Sequence, residues 1–386
     1  MRLPIALLAA AGFLQAAPLA AQGPAPTEPA PAPTAEHFAR AHRVLRSTPL
    51  VDGHNDLPWE IRRNDAGPRD VHAYDLTKRT PGHTDLARLD SGRVGAQFWS
   101  VYVPGDVRDS GYARLQLEEI DIARQIIAKY PRFELAWSAA DVRRAFKRRR
   151  IASLIGLEGG HVIENSVALL RTYRDLGARY MTLTHNVTLD WADAASDSAR
   201  HGGLTAFGEE VVREMNRLGM LVDLSHVSPA TMSDALDVSA APVIFSHSSA
   251  RAITDVPRNV PDSILTRLPQ NGGVVMVTFV PGFINSVAGT RATLAQVADH
   301  IEHVRRVAGV DHVGIGSDFD GIDETPVGLS SVADFPALFA ELARRGWSDG
   351  ELRKLAGENV LRVMERAERV AARLQRTTPP STARLP

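Results

Sequence analysis

The sequence predicts an α/β protein: a closed (β/α)8 barrel of the TIM type with extra helices after its last strand. Three observations carry this reading. Eight short, β-rich apolar runs recur along the chain, amphipathic stretches separate them, and nearly every run ends in a residue that can bind a metal or move a proton. Near-continuous apolar strands alternating with helices mean a parallel sheet covered on both faces. Eight such units favour closure over an open sheet, and closure puts all the strand ends on one face.

The strands are expected at 50–54, 94–103, 151–158, 179–185, 220–226, 242–247, 273–279 and 312–318. Helical patterns lie at 112–128, 166–176, 205–218, 294–307 and 332–345. The stretch 57–93 is too long for a simple crossover and is expected to form an elaborated loop over the barrel mouth. One or two extra helices are expected over 352–374, with the barrel domain as a whole spanning 37–370 and a disordered tail at 371–386.

The chain has 386 residues, of which 44% are hydrophobic, ample for one large core. A formal net charge of −1 gives no argument for nucleic acid or an anionic membrane as partner. Met1-Arg2 followed by an apolar run to Leu14 and small residues to Ala21 reads as a secretory signal over 1–21, and a Pro/Ala-rich linker follows over 22–36. The apolar run is too short for a spanning helix. There is no cysteine for a lipid or a disulfide, and no hydrophobic tail for a GPI-type anchor. The expectation is an exported protein, periplasmic or secreted, without a membrane anchor in its mature form.

The strand ends carry the chemistry. They are His54 with Asp56, then Glu158, His185, His226, His247 and Asp318. On an extended backbone His54 and Asp56 point the same way, and an imidazole beside a carboxylate suits a divalent metal. Five donors suggest two ions: His54 and Asp56 for the first, His226 and His247 for the second, with Glu158 bridging. Two dications about 3.5 Å apart repel by roughly 19 kcal/mol at an effective dielectric of about 20, so anions must lie between them. Glu158, Asp56 and a bridging hydroxide answer that need. With nitrogen and oxygen donors and no thiolate, two Zn2+ are favoured, although manganese or cobalt accept similar ligands.

Hydrolysis follows from a metal-activated water. His185, outside the ligand set, is placed to stabilise an oxyanion or hold substrate. Asp318 could shuttle a proton to a leaving amine or bind a substrate ammonium. Arg258, after strand six, could pin a carboxylate in bidentate fashion, and its plain alternative is a surface arginine in a Pro-flanked loop. His37, His42, His72, His83, His201, His300 and His303 fall in helices or loops as ordinary packing or surface residues, and His161 and His312 take supporting or structural roles.

Several motifs match a known family. VDGHNDLPW from Val51 to Trp59, GLEGGH at 156–161, YMTLTHN at 180–186, DLSHVS at 223–228, FSHSSAR at 245–251, RNVPD at 258–262 and GIGSDFDG at 314–321 resemble the renal (membrane) dipeptidase family of zinc metallopeptidases. The likeness runs from about His37 to Glu368 with the motifs in family order. It implies a (β/α)8 barrel with a binuclear zinc centre that cleaves dipeptides bearing a free C-terminal carboxylate. D-configured C-terminal residues are tolerated in the family, and some members open dehydropeptide or β-lactam bonds. By this resemblance His54, Asp56 and Glu158 hold one zinc, while Glu158, His226 and His247 hold the other. His185 and Arg258 contact substrate, and Asp318 is the acid/base. The cysteines and lipid-anchor tail of animal members are missing. That argues against a disulfide-linked dimer and leaves a plain homodimer open. Segment 190–203 also differs in composition from animal members, so their specificity is not carried over.

Two rival readings remain. A deaminase or lactonase of similar architecture would commonly carry His-x-His on strand one and a carboxylated lysine as bridge, where this chain has His54-x-Asp56 and Glu158. A non-catalytic exported binding protein would not need five converging ligands with a spare His185 and Asp318.

Overall fold

The computed structural model describes residues 31–106 and 111–385. The expected signal sequence and most of the expected linker lie outside the described residues. A helix already begins at Ala35, inside the last residues of the expected linker.

Nine parallel strands form the sheet among the described residues. They are β1 (Leu50–Asn55), β2 (Val94–Tyr102), β3 (Phe133–Leu135), β4 (Ile151–Glu158), β5 (Ala178–Thr182), β6 (Leu221–Asp223), β7 (Ile244–Phe245), β8 (Val274–Val277) and β9 (Val313–Ile315). Pairing of β2 with β4, together with β1 between β2 and β9, closes eight of them into the expected barrel. The unexpected strand is β3, a three-residue addition on β4 just below the point where β5 joins it. Three residues are too few to show a period in sequence.

Alternation along β4 explains how the barrel carries its centre. Ala152 and Leu154 belong to the inner core, with Phe98 of β2, Tyr180 of β5 and Met276 of β8. Continuing that alternation through Gly156 brings Glu158 to the inner face at the mouth. The other end of the barrel is closed by the helix Asn359–Thr377, whose Val360, Leu361, Val363, Met364 and Ala367 join the same inner core. This helix continues from Asp349–Arg353 through a π-helical turn at Lys354–Glu358, so the expected extra helices are one nearly unbroken element.

The last residues depart from expectation. Instead of a disordered tail at 371–386, the helix runs to Thr377 and the residues after it are tied down. Leu385 N–H donates to Asn165 O at 2.9 Å, Val167 N–H donates to Ala383 O at 3.2 Å, and Ser381 N–H reaches Glu214. The polar, Pro-containing composition suggested disorder, but the backbone polar groups find partners on 165–167.

The segment 57–93 folds as two short helices, Leu57–Arg62 and Leu86–Ser91, joined by hydrogen-bonded turns. It is tied to the mouth by Asn55 Nδ2 donating to Thr84 Oγ1 at 2.9 Å and by His83 N–H donating to Asp320. Among the described residues no helix is long and apolar enough to cross a membrane.

Gly156 is a steric requirement. A Cβ there would lie 2.0–2.5 Å from ring atoms of Tyr180. Gly156→Ala is expected to destabilise the protein by about 1–3 kcal/mol through overpacking, seen as a lowered Tm in thermal denaturation. An unchanged Tm would show that the Tyr180 ring can move aside freely.

Candidate metal centre

The polar residues expected at strand ends converge at the mouth, but most do so just beyond the strands. His185 follows β5 by three residues, and His226, His247 and Asp318 likewise lie past β6, β7 and β9. The strands are shorter than the apolar runs because the backbone turns out of the ladder to aim these side chains. His226 has φ 67° and Asp318 φ 67°, left-handed conformations that cost a non-glycine residue about 1–3 kcal/mol and gather at functional sites.

Glu158 stands at the middle, and its two carboxylate oxygens face different partners. Oε2 lies 3.5 Å from His54 Nε2, and that nitrogen is 3.2 Å from Asp56 Oδ2. Oε1 lies 3.1 Å from His226 Nε2, 3.4 Å from His247 Nε2 and 3.8 Å from His185 Nε2. For metal–ligand bonds of 2.0–2.1 Å, tetrahedral donors sit about 3.3 Å apart, close to these separations. His54 Nε2 and Asp56 Oδ1 are buried with no hydrogen-bond partner. Three groups could each hold an ion: His54, Glu158 and His247; Glu158, His185 and His226; and His54, Asp56 and Asp318.

The outer nitrogen of each of the three buried histidines is anchored on oxygen. His54 Nδ1 is 2.9 Å from the Tyr180 hydroxyl, whose own proton is aimed at Gly53 O. His226 Nδ1 is 3.0 Å from Asn186 Oδ1. His247 Nδ1 is 2.8 Å from Ser246 Oγ, and Ser246 in turn donates to Asp223. This network assigns the protons to the Nδ1 atoms and leaves the three Nε2 lone pairs pointing inward. With this proton placement His226 and His247 bring two Nε2 atoms to 2.8 Å, an approach that a cation between them would relieve.

The charges agree. Burial, then neighbouring cations, holds His226 and His247 well below the ordinary imidazole pKa, which favours the neutral form that a metal ligand requires. Burial also works against a charge on His54, yet Tyr180, Asp56 and Glu158 outweigh it and lift its pKa well above the usual value. Burial would raise Glu158, but the imidazoles of His54, His226 and His185 outweigh it and keep the carboxyl well below its usual range. The pocket therefore demands positive charge beside Glu158.

Around this cluster lies a cavity of about 510 Å³. Trp59 and Arg63 enter it from segment 57–93, and Tyr102, whose ring lies edge-on to Trp59 at 5.0 Å and 4.8 Å from His185, forms a wall. Arg258 also lines it and is buried at 4% exposure, so the surface reading of this arginine is wrong. Its guanidinium makes two long hydrogen bonds of 3.4 Å, to Ser248 Oγ and His247 O, leaves Nε without a partner, and stacks over Phe283. Burial pulls its pKa down to about 10, against the opposing pull of Asp318 and Glu158. A buried guanidinium so poorly paired has donor capacity left for an anion. Asp318 Oδ1 is 3.9 Å from His54 Nε2. Burial raises its carboxyl to about 8, with Asp56 and Glu158 adding to the rise and His54 and Arg258 opposing it. Gly321 makes room for two carboxylates, since a Cβ there would lie 2.3 Å from Asp56 Oδ2 and 2.7 Å from Asp318 Oδ1.

The remaining histidines stay out of the cluster. His161 Nε2 bonds Val103 O at 2.8 Å, His312 Nδ1 bonds Gly273 O at 2.7 Å, and His300 Nε2 bonds Ile284 O at 3.1 Å. His83 packs against Phe319 at the rim. Sequence reasoning assigned no role to Tyr180, Asn186, Ser246 or Asp223. Their only signal was membership of the same motifs as the ligands, because which side chain backs which imidazole is set by neighbouring strands.

A (β/α)8 barrel whose mouth gathers imidazoles and carboxylates around a buried glutamate defines a metal-dependent hydrolase. The family described as Membrane dipeptidase (Peptidase family M19) matches residues 38–378, and the chain belongs to that family. It is a metallo-dipeptidase, a hydrolase of dipeptides. Among solved structures it is similar to a metallopeptidase from Rhodobacter sphaeroides determined with a phosphinate mimic of the dipeptide L-Ala-D-Ala, at 28% identity over 83% of this chain and 99% of that one, TM-score 0.74. A metallopeptidase described as dipeptidase AC aligns at 29% identity over 83% and 98%, also with TM-score 0.74. The probable dipeptidase PvdM from Pseudomonas aeruginosa shares the fold at 22% identity over 87% and 99%, TM-score 0.79.

Removing the hydroxyl behind His54 tests the anchoring. Tyr180→Phe is expected to keep the fold and weaken metal affinity about 10–100-fold, read by titration against a chelator. Unchanged affinity would mean that His54 is oriented by packing alone.

Proposed function

We propose that the chain is a binuclear zinc dipeptidase. Its substrates are dipeptides with a free C-terminal carboxylate, including those with a D-residue or a dehydro-residue at that position. The observation that carries this reading is the division of Glu158, one oxygen toward His54 and the other toward His226 and His247. We assign His54, Asp56 and Glu158 to one ion and Glu158, His226 and His247 to the other. The Rhodobacter sphaeroides relative binds a mimic of L-Ala-D-Ala, which supports a D-residue at the C-terminal position.

A bound pair of zinc ions would supply Lewis acidity and a water acidified to near-neutral pKa. The residues of the chain do the rest. Arg258 receives the substrate carboxylate, and its poor pairing within the protein makes that contact favourable. His185, 3.8 Å from Glu158 and in the cavity wall, holds the carbonyl oxygen as it gains charge. Asp318 takes the proton from the attacking water and delivers it to the nitrogen that leaves as the C–N bond breaks. Trp59 and Tyr102 cover the scissile bond and limit the space to a small substrate.

The charged, apolar and small-residue regions over 1–21 support export to the periplasm or medium. A deaminase or lactonase reading is less well supported, because Arg258 and Asp318 together suit a carboxylate and a leaving amine.

Glu158→Gln is expected to abolish stoichiometric metal binding and to lower dipeptidase activity at least about 100-fold, measured by metal analysis alongside turnover. Full activity with two bound ions would remove Glu158 from the bridge. Arg258→Ala should cost about 3 kcal/mol, roughly 100-fold in kcat/KM, for free dipeptides and much less for their C-terminal amides. Equal losses on both would mean that the carboxylate is read elsewhere.

A further inference from the structure

A second charged feature lies at the far end of the barrel. The residues just before or at the start of β1, β2 and β4, among them Pro49, Gly95 and Arg150, line a groove of about 860 Å³. Because all strands are parallel, this groove opens at the end opposite the metal cluster.

Its walls are strongly basic. Arg46, Arg93, Lys147 and Arg149 line it, all exposed, and none has an acidic partner within 4 Å among the described residues. Arg132, Arg143 and Arg150 line it too, paired with Asp90, Glu365 and Glu134. Asp90 is the one acidic residue in the lining. In a chain of net charge −1 this is a marked concentration of one sign. His42 lies nearby, and burial followed by the charges of Arg93 and Arg46 lowers its pKa, so the field reaches beyond the groove. Six of the seven cations are arginines, whose planar forks pair with phosphate in bidentate fashion.

The shape narrows the partner. A flat bilayer would touch only the rim of a concave groove, and no exposed large hydrophobic residue lines it to enter a membrane. We propose that this groove is a docking site for a linear, phosphate-bearing polyanion. The active mouth faces away from the bound chain, so docking leaves dipeptide access free. The proposal is independent of the metal assignments.

Long-chain inorganic polyphosphate, fluorescently labelled, tests it by anisotropy with the full chain. The wild type is expected to bind saturably, with affinity falling steeply as salt rises. The triple variant Arg46→Glu, Arg93→Glu, Lys147→Glu should lose at least about tenfold in affinity while keeping its dipeptidase activity and Tm. If the triple variant fails to fold, Lys147→Glu alone, at an exposed helix end, should still lose about threefold. As a control of equal net charge, Arg369→Glu, Arg373→Glu, Arg376→Glu should stay within about twofold of wild type. The proposal is overturned if the wild type does not bind, if both triple variants lose affinity equally, or if only vesicles of anionic phospholipid bind.

Discussion

One carboxylate sets the terms for the mouth of this barrel. Glu158 carries a single charge with two faces: Oε2 has one imidazole nitrogen at 3.5 Å, and Oε1 has two at 3.1 and 3.4 Å. Carboxylate oxygens and imidazole lone pairs do not pack this densely without positive charge between them. A carboxylate at this place can answer positive charge on both sides at once, as the proposed pair of ions would require, whereas an imidazole would add repulsion. The same demand for positive charge shows at His54, where burial opposes a charge yet Tyr180, Asp56 and Glu158 lift the pKa well above the usual value.

Keeping that arrangement rigid takes buried polar groups, which are costly unless fully paired. Two aspartates provide the pairing. Asp52 accepts from the backbone and hydroxyl of Ser317, both at 2.7 Å, and so pins β1 to the chain leaving β9. Asp223 accepts from Thr182, Ser225 and Ser246 and so joins β5, β6 and β7 just beneath the ligands. Left-handed backbone occurs beside this frame at His226, Asp318 and Asp320. Tyr180 links the frame to the metal cluster, since its ring occupies the space over Gly156 and its hydroxyl steadies His54.

The two ends of the barrel differ in their electrostatics. At the mouth, Arg258 is nearly buried and poorly paired, which makes its charge available to one small anion. At the opposite end the cations are exposed and numerous, so each is screened and the effect is collective. The inner core, from Ala96 and Phe98 to Met276 and the closing helix, fills the barrel between them.

Sequence alone determined the barrel and named the donor side chains that gather at its mouth. Strand periodicity and donor-terminated runs are local properties, and His54 with Asp56 two positions on already marks a pair of donors at a strand end. Local signals could not determine the rest. The strands stop short of His185, His226 and His247 because the ladder ends where the backbone turns out, a matter of neighbouring strands. In sequence Arg258 suits a surface loop equally well, and only tertiary packing buries it under Phe283. The residues after 377 have the composition of a disordered tail, yet their backbone groups pair with 165–167, more than two hundred positions away. Burial, hydrogen-bond partners and the direction of each carboxylate oxygen arise only when distant segments meet, which is why the folded chain had to decide them.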